Sequence, residues 1–162
     1  MFCMSIGLEA HGRMILGVVF DPLRQELFEA EAGQGALMNG ERIHVSKVTE
    51  LRKALLVTGF PYDHAGRQEN LPYFSRFALQ SQGLRRTGSA AMDLCYVAAG
   101  RIDGFWELGL KPWDVAAGAL MVIEAGGNIT DLLGQSFSVR GTQTLASNGL
   151  IHQAMMEVIA GK

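Results

Sequence analysis

Read by hydropathy, the chain opens with short strand-like runs and continues with longer helical ones. Cys3 to Leu8, Met14 to Phe20 and Glu26 to Glu31 have the apolar content of β-strands. The second and third flank Asp21-Pro22, a turn pair, and so predict an antiparallel hairpin. Gly33-Gln34-Gly35 and Asn39-Gly40 mark a further tight reversal. Residues 55 to 58 read as strand, and from 69 to 82 the spacing turns helical, with Leu71, Phe74, Phe77 and Ala78 on one face. Further helices are expected at 89–99, 114–125 and about 149–160. Short strands near 84–87, 103–107, 128–131 and 143–146 separate them.

The segment from Lys111 to Gly127 carries the clearest chemical signal. Pro112 drives Lys111 toward extended geometry and is tolerated in a helix only at its start, so a helix should begin at or just after it. From Ala116 to Ile123 the run is apolar on nearly every side, and Gly126-Gly127 ends it as a C-cap signal. Such a helix is buried, with Asp114 at its mouth facing the positive end of the helix dipole. From spacing alone Asp114 is either a capping residue or a cation ligand. A similar choice arises at Gly88-Ser89-Ala90, which opens a helix directly after a strand and the pair Arg85-Arg86. Its free backbone N–H groups suit phosphate or polar substrate atoms, and an ordinary serine N-cap suits the same residues.

Composition narrows the class of protein. With 48% hydrophobic and 19% charged residues the chain is an ordinary globular sequence, and no linker or low-complexity tract divides residues 1–162. A net charge of −2 gives no basic field, so a nucleic-acid partner is not expected. The apolar run near 115–123 is too short to span a bilayer, and no basic, apolar leader precedes the first strand, so a cytoplasmic location is the expectation. Cys3 and Cys95 are isolated and read as reduced thiols, while His11, His44, His64 and His152 are scattered without ligand spacing.

Trp113-Asp114-x-Ala-Ala-Gly followed by Glu124-Ala-Gly-Gly127 resembles the C-terminal signature of the inositol monophosphatase family, magnesium-dependent phosphomonoesterases. Three more segments resemble that family in order and spacing: Arg85-Arg86-Thr87-Gly88-Ser89-Ala90-Ala91, Phe105-Trp106-Glu107-Leu108-Gly109, and Gly33 to Gly40. The resemblance covers essentially the whole chain and implies an α/β fold, the layered α+β sandwich of that family. It implies hydrolysis of inositol monophosphate or a related sugar or polyol phosphate, with fructose 1,6-bisphosphate, nucleotide 3'-phosphates and histidinol phosphate as alternative substrates.

The resemblance also assigns roles. Asp114 becomes a magnesium ligand; Gly88, Ser89, Ala90, Arg86 and Glu107 bind substrate, Glu107 by accepting hydrogen bonds from the alcohol's hydroxyls. Asp93 reads as a surface or capping carboxylate, and Glu124 and Asp131 as structural. The family's Asp-Pro-Ile-Asp-Gly-Thr metal motif has no match here: Asp21-Pro22 and Asp103-Gly104 both read as turns. The chain is therefore expected to be an N-terminally truncated member, with residues 1–58 a remnant of the antiparallel sheet and 59–162 the C-terminal αβ half. Most catalytic groups are expected outside it, magnesium binding should be weak or absent, and an uncovered sheet face should favour a homo-oligomer such as a dimer. A non-catalytic remnant that binds a protein or a phosphorylated ligand is the alternative.

Overall fold

Two five-stranded sheets organise residues 1–162, all of which the computed structural model describes. The first sheet runs in chain order through β1 (Met4–Ala10), β2 (Arg13–Asp21), β3 (Glu26–Glu31), β4 (Gly35–Met38) and β5 (Glu41–Ile43), every pair antiparallel. Its turns follow from local chemistry. The Asp21 carboxylate accepts from the Leu23 and Arg24 amides, which closes the β2–β3 turn. Asn39 and Gly40, at φ of 51° and 81°, form the left-handed two-residue turn that β4 and β5 need. Hydropathy leaves β4 and β5 as one reversal because strands of four and three residues are too short to show a period.

The second sheet has the order β7-β6-β8-β10-β9, from β6 (Leu55–Thr58), β7 (Gly83–Arg85), β8 (Gly104–Leu108), β9 (Asn128–Thr130) and β10 (Gln143–Ser147). β6 lies parallel to both β7 and β8, and β10 is antiparallel to β8 and β9. The boundary between the two sheets thus falls before β6, not after residue 58 as the sequence reading has it. Leu56, Val57 and Thr58 are fully buried, as a central parallel strand must be.

Four helices complete the layers: α1 (His64–Gln80), α2 (Ala90–Ala98), α3 (Pro112–Glu124) and α4 (His152–Ile159). α2 and α3 lie between the sheets, their apolar surfaces merging with Val19, Phe28, Val57 and Phe105 in one core. α3 starts with Pro112 at its first position. Gly118 lets α3 close on α2, since a β-carbon there would stand 2.6 Å from Leu94 Cβ. α1 and α4 cover the other face of the second sheet, over Leu56, Phe77, Trp106 and Met155. α1 begins five residues before the predicted 69, capped by Asp63, whose carboxylate accepts from the Gly66 amide at 2.8 Å. Its buried side is Asn70, Tyr73, Phe74 and Phe77, and the predicted Leu71 and Ala78 face solvent.

One sheet face is bare. Gly7 of β1 packs beneath α3 near Ala116, so the alternating Met4, Ile6 and Leu8 point the other way and are 58%, 62% and 51% exposed. Phe20, Val18 and Leu16 stand opposite them on β2. β1 is also an edge strand, paired only with β2.

Candidate active site

β6 and β8 run parallel, and the loops after their carboxyl ends meet the N-termini of α2 and α3 around a cleft of about 450 Å³. Crevices at the carboxyl ends of parallel strands are where layered α/β folds bind ligands. Arg86, Gly88, Ser89, Ala90, Glu107 and Asp114 all line this cleft, and Gly59, Phe60, Asp93 and Trp113 line it with them.

Glu107 sits on β8 one residue after the buried Trp106 and is held from beneath. A β-carbon at Gly59 would overlap the Glu107 carboxyl, so only glycine allows that side chain its place. Asn70, fully buried on α1, fixes both flanks. Its amide donates to the Gly59 carbonyl at 2.7 Å, and its oxygen accepts from Trp106 Nε1 at 2.8 Å. Thr58 Oγ1 donates to the Trp106 carbonyl at 2.6 Å and completes the tie between the two strands.

The electrostatics are acidic. Burial, then the charges of Asp93 and Asp114, push the Glu107 carboxyl up to about 8, against the opposing pull of Arg86 and the Gly59 amide. Burial raises Asp93 to about 7, opposed by the Thr87 hydroxyl that donates to Oδ1. Asp93 is therefore no surface carboxylate: it is 1% exposed. The Arg86 guanidinium lies 5.5 Å from the centre of the Phe60 ring, which holds the cation at the cleft wall.

Asp114 is the third residue of α3, and its Oδ2 accepts from the Lys111 amide at 2.9 Å, the return half of a capping box. Capping uses one oxygen and leaves the other for a ligand, so the two readings of this residue are compatible. Ser89 occupies the N-cap of α2, yet its hydroxyl bonds no helix amide and lies 3.5 Å from Cys3 Sγ. The first-turn amides of α2 accordingly receive no side-chain cap from it. Gly88 is left-handed at φ 89° with open space where a side chain would be.

Metal chemistry needs several oxygen ligands converging, and magnesium demands near-octahedral geometry. No three His, Cys, Asp or Glu side chains in this chain are so arranged. Asp93 binds Thr87 through Oδ1, Glu107 rests on Gly59 and Asp114 caps α3 through Oδ2, so their carboxyls do not converge on one point. These residues by themselves do not fit a closed magnesium site.

Asp103, Glu124 and Asp131 serve the fold. Asp103 accepts from Ser46 Oγ and the Leu55 amide, and Glu124 accepts from the Gly33 and Gly35 amides at 2.8 Å each, tying the β3–β4 turn to α3. Asp131 accepts from the Leu133 and Gln135 amides in its own turn. His152 is buried between Ser147 and Thr130, with burial lowering its pKa, and none of the four histidines lines the cleft. The sequence alone gives no role to Gly59, Phe60 and Asn70, and it assigns Asp93 to the surface or to capping. The spacing of Ser89 and Asp93, one turn apart at a helix start, and the Gly59-Phe60-Pro61 break after a buried strand were the available signals.

The model of the inositol monophosphatase family matches residues 1–162, and the chain belongs to that family. It is 45% identical over 159 residues to the inositol-1-monophosphatase of Synechocystis sp., covering 98% of this chain and 55% of that protein. It is 44% identical over 158 residues to the Nus factor SuhB of Escherichia coli (strain K12), covering 96% and 58%. The solved inositol monophosphatase of Anabaena (Nostoc) sp. superposes with a TM-score of 0.95 at 44% identity, over 99% of this chain and 64% of that one. The chain thus spans a little over half the length of these curated relatives. No helix in it is long and apolar enough to cross a membrane.

Proposed function

We propose that this chain forms the alcohol-binding side of a magnesium-dependent phosphomonoesterase site for inositol monophosphate or a related polyol phosphate. The observation that carries the proposal is the convergence of Glu107, Arg86 and the α2 N-terminus on the cleft that also holds Asp114. In this reading Glu107 hydrogen-bonds hydroxyls of the alcohol, the first-turn amides of α2 and Arg86 face anionic or polar oxygens, and Asp114 lends its free oxygen to a metal. Magnesium supplies Lewis-acid chemistry when bound in such sites. The residues here hold the substrate's alcohol and contribute one ligand, so hydrolysis needs carboxylates beyond these.

Phosphate release from inositol 1-phosphate with millimolar magnesium tests this directly. The 162-residue chain is expected to bind the ester and turn it over negligibly. Fusing to it the part of the Synechocystis relative that it does not match is expected to yield turnover that Asp114→Ala abolishes. Turnover by the chain alone at the fused protein's rate would overturn the division of labour. That Asp114 does not close a magnesium site with its neighbours favours one second reading, a non-catalytic module that binds a protein or a phosphorylated ligand; the fused protein would then bind and never hydrolyse.

A further inference from the structure

Resting on that reading, we infer that Asp93 is a specificity-determining residue of the cleft, hydrogen-bonding a hydroxyl of a neutral polyol and disfavouring a second phosphate on the substrate. Asp93 stands in the first turn of α2, one turn beyond Ser89, and only 1% of it is exposed. A carboxyl buried to that extent for structural reasons is normally matched by a cation or several donors. Asp93 has neither. No lysine, arginine or histidine pairs with it, and its sole hydrogen-bond partner is the Thr87 hydroxyl on Oδ1. Oδ2 has no protein partner, yet no buried side-chain oxygen in the molecule is left unsatisfied. That oxygen is therefore reached from the cleft, which Asp93 lines.

The surroundings set the class of ligand. Of the charged side chains lining the cleft, Asp93, Glu107 and Asp114 are acidic and Arg86 is basic. After burial itself, the charge of Asp93 is the largest influence that raises Glu107. Two carboxyls facing one space, each able to hold a proton near neutrality, offer donors and acceptors together, which suits vicinal hydroxyls. A second phosphate would bring about two further negative charges beside three carboxyl side chains and one guanidinium. Polyol monophosphates fit this arrangement, and bisphosphates such as fructose 1,6-bisphosphate do not.

The test is binding to the full chain, followed by amide chemical shifts, with myo-inositol, inositol 1-phosphate and fructose 1,6-bisphosphate as probes. Asp93→Ala should weaken myo-inositol by about tenfold, the loss of one hydrogen bond to a carboxyl group. Asp93→Asn keeps the Thr87 bond and hence the fold; it should weaken myo-inositol less and raise the affinity for the bisphosphate relative to the monophosphate several-fold. If Asp93→Ala does not fold, the ligand preference of Asp93→Asn still decides. Unchanged affinities and preference in both variants, with Glu107→Gln weakening myo-inositol, would overturn the inference and leave the alcohol-side reading standing. Failure of the wild-type chain to bind any of the three probes would overturn that reading, and the inference with it.

Discussion

Glu107 and Asp93 keep their protons to about pH 8 and about pH 7 in the folded chain, because burial disfavours their charged forms. Unfolded, both ionise near the ordinary values of 4.5 and 3.8. Between roughly pH 4 and pH 8 the unfolded state therefore binds fewer protons than the folded one, and stability falls as pH rises through that window. Below it both states are protonated; above it both are ionised and the loss is complete. Thermal denaturation from pH 5 to pH 9 should show this decline. Glu107→Gln and Asp93→Asn should each flatten it and leave the variant more stable than wild type at pH 9, by on the order of a few kcal/mol. A decline of the same slope in both variants would mean that other groups carry it.

Among the elements, what could be read from sequence was what has a local cause. The β2–β3 hairpin and α3 were legible because Asp21-Pro22, Pro112 and Gly126-Gly127 fix the backbone on their own. α1 was placed late because its first six residues, His64 to Glu69, carry no apolar stripe, and its buried face is marked by a polar residue. Asn70 is inside because Trp106 and Gly59, distant in sequence, satisfy it. The same holds for the cleft. Gly88, Glu107 and Asp114 stand in recognisable motifs, whereas the burial of Asp93 and the glycine requirement under Glu107 depend on how β6, β8 and α2 meet. Removing the Asn70 tie should accordingly be costly: Asn70→Ala leaves the Trp106 N–H unpaired in the interior and the Gly59 carbonyl with the Thr58 hydroxyl as its only donor, an expected loss of about 1–3 kcal/mol in urea denaturation. A loss under about 0.5 kcal/mol would mean the tie is relaxed or replaced by water.

At the scale of the molecule, the bare face of the first sheet presents exposed apolar side chains beside the unpaired edge of β1. Concentration-dependent association is expected in size-exclusion chromatography with light scattering. Ile6→Lys with Leu8→Lys should restore a monomer with little change in melting temperature, since both side chains are already more than half exposed. A wild-type chain that stays monomeric at high concentration would rule out this surface as an interface between copies.

The two tryptophans sit at opposite extremes: Trp113, on the rim of the cleft, is 68% exposed, and Trp106, beneath Glu107, is 0% exposed. Their emission is therefore separable by colour and by access to a quencher. Acrylamide should extinguish the red-shifted Trp113 signal first and leave a blue-shifted Trp106 component, which lasts as long as Asn70 and Phe77 enclose it. Without any added label, the chain thus carries one optical reporter of cleft occupancy and a second of the integrity of the layer below.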